Sequence, residues 1–436
     1  MSDILIIVIV GTVLLLFALW WRRVYDFAVL STLASISVNL RGPDPAHLLV
    51  PSLLVLGVLM GHLRFRMRFP PPLRALFLGF LLFYAISNIL GDPVWEWVMV
   101  FGANTALFML IKLYVTSEQK MRAFFFALLL GQVTTSLLAL AGLRGWWTPP
   151  DDIFFPIYMD GFNIFHGTRN VAAWYTASLL IWLLDEMLEP KLWKGFWLVK
   201  VILIVLGIVQ LAATLTRSAW IGFLIAVVAY LLLNGVKAAR KGITVPGIMT
   251  IIIILIISWG MMLSTGYSLR IISEIEKGLL TTERLYMVQT RQALSLVPEH
   301  PFGLGTGRVG KLFAFWEGNV EFSLGAHNFM VQILSENGWG TFLAFAFIYA
   351  YLFFPAIPKA IRGESCYGVS YQTLVSGMTC MAVVGFFHDL VLWNTAWIFP
   401  SLAAAMLWPT SSSEASAASS ELRRERVGRT DVYSHR

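Results

Sequence analysis

Apolar runs about twenty residues long recur along the whole chain, and this recurrence limits the fold more than any other feature. An α-helix rises about 1.5 Å per residue, so about 20 apolar residues cross the hydrocarbon core of a bilayer. Candidate spans fall at 4–21, 26–40, 48–63, 74–90, 94–114, 122–143, 170–188, 196–213, 217–234, 246–263, 327–356, 371–388 and 391–408. The count becomes twelve if one early pair forms a partial or re-entrant element. Composition agrees, because only 13% of the 436 residues are charged, whereas a soluble chain carries about 25%. The first run, Ile4 to Trp21, lacks a basic start and a small-residue cleavage site, so it reads as a membrane helix and not a cleaved signal. Two cysteines, Cys366 and Cys380, exclude a disulfide framework.

The expected fold is an all-α polytopic membrane protein with about 12–13 transmembrane helices and one large outer loop containing short helices. Residues 1–263 form the first part of the bundle, with an outer loop at 144–169. The large loop is 264–326, further spans occupy 327–408, and 409–436 is a small, polar, basic tail expected to be disordered in the cytoplasm. Of the 32 lysines and arginines, 22 fall on one face of this arrangement and 10 on the other, which makes the first face cytoplasmic. The net charge of +7 therefore reflects topology and gives no reason to expect nucleic acid. Six of the ten outward cations lie in the loop 264–326. Loops this long are usually functional or disordered, and this one is too rich in aromatic and aliphatic residues for disorder.

Several residues at the outer face could do chemistry. Arg217, in TLTRSAWIGF, stands at the outer end of a span. It reads either as a functional charge or as a side chain snorkelling to the headgroups, and neighbouring Thr214, Thr216 and Ser218 add hydrogen-bond donors in favour of a site. Arg284 and Arg291 are seven residues apart and share a helix face. Two guanidinium forks so placed suit a diphosphate, although an interfacial helix meeting anionic lipid headgroups would look the same. Gly303, Gly305 and Gly307 follow Pro301 and would permit either an anion-cradling turn or a loop that folds back, the second being favoured. His327 and Asn328 precede the apolar run FMVQIL. A histidine at a helix N-terminus is biased toward neutral imidazole, the form a general base needs, but a plain interfacial histidine fits too. Glu336 and Asn337 fall within the same run and must face protein or water.

The outer face carries no D-x-D pair, and the chain has no H-E-x-x-H, C-x-x-C or P-loop, so neither a bound metal, another cofactor nor ATP is expected. An outward-facing enzyme of this kind needs a substrate with its own leaving group. A polyprenyl diphosphate sugar would serve once arginines neutralise the diphosphate.

In order, the chain shows an arginine at the outer end of a mid-chain span, an outer loop with E-R then P-x-G-x-G-x-G, H-N opening a span, and E-x-G. That ordered set, over roughly 170–340, resembles the O-antigen ligase and polymerase superfamily of bacterial inner-membrane glycosyltransferases. The resemblance implies a metal-independent, inverting transfer of a glycan from undecaprenyl diphosphate to an acceptor hydroxyl at the periplasmic face, with lipid A-core as the acceptor for a ligase. It implies catalytic roles for Arg217, Arg284 and His327, with His327 as general base. Arg291, Asn328, Arg169 and Asn170 are expected to bind substrate, and membrane lipids surround the whole. A polysaccharide polymerase or a protein O-glycosylating ligase of the same superfamily would use the same residues. A transporter of an anionic solute is the rival from another class, but the polar residues gather at one face instead of in two related halves.

Overall fold

The computed structural model describes residues 21–35, 45–63, 69–143, 169–213, 216–241, 280–312, 315–317, 320–322, 328–386 and 394–409. The expected spans 4–21 and 246–263 lie outside these residues, as do nearly all of the loop 144–169 and the tail. The fold is all-α and polytopic. The described helices are α1 (Arg22–Ser35), α2 (Pro45–Leu59), α3 (Pro71–Leu90), α4 (Trp95–Tyr114), α5 (Glu118–Leu143), α6 (Arg169–Leu188), α7 (Trp197–Ala213), α8 (Arg217–Lys241), α9 (Leu280–Leu296), α10 (Arg308–Leu312), α11 (Phe329–Phe353), α12 (Ala356–Arg362), α13 (Tyr371–Gly385) and α14 (Ile398–Leu407). Four of the described segments are long and apolar enough to cross a membrane: Pro71–Leu90, Trp95–Tyr114, Ser218–Gly235 and Phe329–Arg362. Shorter apolar helices cover Leu48–Leu59, Trp197–Leu211 and Ile398–Leu407.

Several boundaries differ from those expected. The segment expected at 26–40 begins its helix at Arg22, because the Trp21 carbonyl already accepts from the amides of Val24 and Tyr25. Tyr25 is fully buried and donates its hydroxyl to the Leu53 carbonyl at 2.8 Å, which ties α1 to α2. The stretch expected as one span at 391–408 is divided, with a 3₁₀ turn at Asn394–Trp397 leading into α14. Pro400 sits in the first turn of α14, where a missing amide costs no helix hydrogen bond. The run expected at 327–356 is one helix interrupted at Gly338, whose φ of 75° and ψ of 176° are not helical.

Among the described residues, sheet is confined to two small antiparallel hairpins, β1 (Phe315–Glu317) with β2 (Val320–Phe322) and β3 (Ser365–Cys366) with β4 (Val369–Ser370). Tyr367 and Gly368 join the second pair with positive φ at both positions, as a two-residue type I′ turn requires.

Packing fixes which helix ends lie together. The helix α13 runs along α8, α11 along α3, and α6 against α7, α8 and α13. At one end the buried Asp185 of α6 accepts from the Tyr230 hydroxyl of α8 at 2.7 Å and from Ser370 Oγ, at the start of α13, at 2.9 Å. At that same end Glu186 accepts from the amides of Leu192 and Trp193, closing the turn into α7. The start of α13 therefore meets the finish of α6, so α6 and α8 begin, and α13 finishes, at the opposite end. An aromatic interior lies between, with Tyr84 and Phe101 stacked at 4.2 Å and Trp397 edge-on to Phe101 and Phe345. A buried polar cluster crosses α5, α6 and α7, where Gln132 donates to Thr176 and to Gln210, and Ser136 donates to Gln210. Such a cluster is tolerated in an apolar interior because most of its groups satisfy one another, Gln132 Oε1 being the one left without a partner among the described residues.

Candidate active site

The end opposite Asp185 is organised by the glycine run. Gly303, Gly305 and Gly307 have φ of 91°, 97° and 78°, the region that favours glycine. These values let the loop enter the break in α11. The Leu304 amide donates to the Ser335 carbonyl at 3.0 Å, the Gly305 amide to the Glu336 carbonyl at 2.8 Å, and the Trp339 amide to the Pro301 carbonyl at 3.1 Å. A Cβ at Gly303 would stand 2.3 Å from the Glu336 backbone oxygen, and one at Gly338 would stand 2.4 Å from the Phe302 carbonyl carbon, so neither position admits a side chain as the backbones lie.

The other side of the loop pairs with the α3–α4 turn. Asp92 and Val94 donate their amides to the carbonyls of Leu304 and Thr306 at 2.9 and 2.8 Å. Asn88 Oδ1 accepts from the Thr306 amide, the Thr306 hydroxyl donates to Tyr84, and Asn337 Nδ2 donates to Thr306 Oγ1. Gly307 donates its amide to the Glu336 carboxylate at 2.9 Å. Every amide from Gly303 to Arg308 is thus taken by the protein itself. The run is a backbone clamp, and it has no amides to spare for a phosphate. Glu336 and Asn337, 1% and 5% exposed, face protein as their position within an apolar run demanded.

The clamp seats the arginine helix. Ala293 of α9 and Val309 of α10 are fully buried and form a small apolar core with Leu304 and Val331. The helix α9, which carries Arg284 and Arg291, is therefore held on the glycine loop and the first turns of α11. Arg291 is exposed on it. Arg308, expected among the outward cations, pairs with Asp92 at 2.8 Å.

Asn328 is the N-cap of α11. Its Oδ1 accepts from the amides of Met330 and Val331 at 3.0 and 3.1 Å, and its Nδ2 donates to the Phe386 carbonyl at 3.0 Å, just beyond the last residue of α13. Most of its hydrogen-bonding capacity is thereby committed to joining two helices. His327 lies outside the described residues, but it precedes Asn328 directly.

Arg217 is the first residue of α8. Five residues further on, Gly222 packs so closely against Val384 and Cys380 of α13 that a Cβ there would lie 2.7 Å from Val384 Cγ2. The two helices run antiparallel, so the start of α8 stands beside the finish of α13, close to where Asn328 attaches. Arg169 and Asn170 open α6 at the same end. The backbones of α6, α8 and α11 all begin here, and each N-terminus carries about half a positive charge, a setting that favours an anion. Of the expected site residues, the fold thus brings the positions of Arg217, Arg169, Asn170 and Asn328 to one end of the bundle, with α9 docked on α11. The side chains of Arg217, Arg284, Arg169 and Asn170 are outside the described set.

The sequence reading missed Ser87, Asn88 and Asp92 as partners of the loop. Their signal was a pair of polar residues closing an otherwise apolar run, followed by Gly91 and Pro93.

A family model for O-antigen ligase matches residues 202–346. The matched stretch runs from α7 into α11 and includes Arg217, Arg284, the glycine clamp, His327 and Glu336. Over those residues the chain is similar to the O-antigen ligase family. Members are ligases and polymerases of the glycosyltransferase kind, acting on lipid-linked glycans. A comparison with curated proteins gives no match. The matched stretch stops short of α13 and starts beyond α6, yet both of those helices complete the end where Arg217 and Asn328 stand.

Proposed function

We propose that this protein is a ligase of bacterial surface glycan assembly, transferring a glycan from undecaprenyl diphosphate to a hydroxyl of lipid A-core at the periplasmic face of the inner membrane. The observation that carries the reading is the gathering of the N-termini of α6, α8 and α11 at the finish of α13, with α9 held against α11. Partial positive charge and an arginine-bearing helix near the start of α11, which follows His327 in the chain, support this reading.

In this reading Arg217 and Arg284 bind the diphosphate, with Arg291 supporting them and Arg169 and Asn170 lining the approach. The acceptor oxygen attacks the anomeric carbon as the bond from that carbon to the diphosphate oxygen breaks. The electron pair leaves with undecaprenyl diphosphate, whose charge the arginines neutralise. His327 takes the acceptor proton. A single displacement inverts the anomeric centre, and no step calls for a metal. General-base catalysis contributes about 10²–10⁴-fold. Asn328 contributes mainly by fixing the first turn of α11, and so the place from which His327 acts.

The test is transfer by purified protein from an undecaprenyl diphosphate glycan. His327→Ala, Arg217→Ala and Arg284→Ala are each expected to abolish transfer while the protein remains inserted and folded. Unchanged transfer by His327→Ala would remove the general base from the scheme. Glycan found on lipid A-core supports the ligase, whereas longer glycan on the carrier lipid or glycan on protein would assign the chain to the other branches of its superfamily.

A further inference from the structure

We propose that Glu336 is a positioning residue, which sets the place of α9 and its arginines by holding the glycine clamp shut. Its activity arm rests on the transfer reading above, whereas its structural arm does not. Glu336 takes part in the clamp twice. Its backbone carbonyl, released by the break at Gly338, accepts from both the Ser87 hydroxyl at 2.9 Å and the Gly305 amide at 2.8 Å. Its carboxylate accepts from the Gly307 amide at 2.9 Å through Oε2 and from Gln332 Nε2 at 3.0 Å through Oε1.

The carboxylate bonds are what make the side chain specific. Gly307 stands one residue before α10 and two before Val309, which packs on Ala293 of α9. A bond at Gly307 therefore fixes the far end of the loop, next to the surface that α9 sits on. The backbone bonds at Gly305 fix only the near end. Removing the side chain leaves the near end closed and the far end open, with a buried amide unpaired at Gly307. That frees α9 to shift relative to α11, the helix that follows His327 in the chain. Because misplacement by about 1 Å can cost about 10²-fold in rate, a carboxylate that touches no substrate can still control the reaction.

Glutamine can replace this carboxylate. Its Oε1 can accept from Gly307, and its Nε2 can donate to Gln332 once the Gln332 amide turns over, because the two ends of an amide differ only as donor and acceptor. Alanine cannot do so, and aspartate is one methylene too short. Charge is therefore not the requirement; a long side chain with an acceptor at Gly307 is.

The experiment uses the full chain in lipid nanodiscs with Cys366→Ser and spin labels at Leu294 of α9 and Leu343 of α11, which are 42% and 45% exposed. Glu336→Ala should broaden the label-to-label distance distribution and Glu336→Gln should not. In parallel, Glu336→Ala should lower kcat/KM for the diphosphate donor about 10²-fold, with a raised donor KM and an unchanged acceptor KM, and Glu336→Gln should restore it. A merely structural role would reduce the active fraction and leave both KM values alone. An unchanged distance distribution in Glu336→Ala overturns the proposal, and so does a broadened distribution with unchanged transfer. If the unsubstituted protein transfers nothing from such donors, the function reading fails and the distance measurement alone decides whether Glu336 places α9.

Discussion

Replacing Asn328 with alanine removes two attachments of α11 at once, and the two can be separated. The first is the cap, in which Oδ1 accepts from the amides of Met330 and Val331. Loss of an asparagine cap to alanine costs about 1 kcal/mol. The second is the bond from Nδ2 to the Phe386 carbonyl, also worth about 1 kcal/mol as a net hydrogen bond. Asn328→Ala should therefore destabilise the first turn of α11 by about 2 kcal/mol, a factor of about 30 in its opening equilibrium. Asn328→Asp keeps the acceptor for the cap and gains from the helix dipole, but it loses the donor and sets a carboxylate against a carbonyl. Its cost should be about 1 kcal/mol, all of it at the junction with α13. Hydrogen exchange followed by mass spectrometry over 329–335 reads this opening locally. The expected order of protection is Asn328, then Asn328→Asp, then Asn328→Ala. Equal loss of protection in the two variants would show that the cap carries no weight. Unchanged exchange in Asn328→Ala would refute both attachments.

Other outcomes follow from the same geometry. Gly303→Ala, which combines a φ of 91° with a Cβ contact of 2.3 Å on Glu336 O, should open the clamp and lower both thermal stability and transfer. A fully stable Gly303→Ala would mean that the loop does not enter the break in α11. Arg308→Ala should change stability by less than about 1 kcal/mol, because its pair with Asp92 is half-buried on the arginine side, open to water on the aspartate side and so screened. A melting curve displaced by more than that would show a network where we see a pair. At Glu364, burial favours the neutral acid, but hydrogen bonds from Arg362 and Lys359 and their charges outweigh it and hold the carboxyl below its usual range. The folded value is the lower one, so this group adds stability above the ordinary carboxylate range and loses it as the pH falls through the folded value. Glu364→Gln should flatten the acid side of the stability profile, as a titration of unfolding midpoints would show.

The long helices were legible because their signal is local. Pro71–Leu90 and Trp95–Tyr114 each carry enough apolar residues in a row to declare themselves, and the expected limits 74–90 and 94–114 fall within three residues of the observed ones. The break before α14 was less legible, since the apolar run continues straight through Asn394–Trp397 and only Pro400 marks the restart. The glycine run was visible as a motif, but its partners were not. Thr306 reaches Asn88 across 218 positions of sequence, and backbone pairing at that range leaves no periodic trace. Asn328 shows a further limit. A polar residue just before an apolar run is an N-cap signature, and the cap it forms says nothing for or against the substrate contact expected of it. The grouping of α6, α8 and α11 at one end depended on Asp185, Tyr230 and Ser370 meeting at the other, which no spacing rule discloses.

The central claim is that this end of the bundle performs glycan transfer from a polyprenyl diphosphate donor. The most direct measurement is turnover of purified protein in nanodiscs with an undecaprenyl diphosphate glycan and lipid A-core, with chelator present and no ion gradient. The account predicts glycan joined to the acceptor hydroxyl with inverted anomeric configuration, and none with Arg217→Ala. Donor left intact by the unsubstituted protein under these conditions, or turnover undiminished in Arg217→Ala, would contradict it.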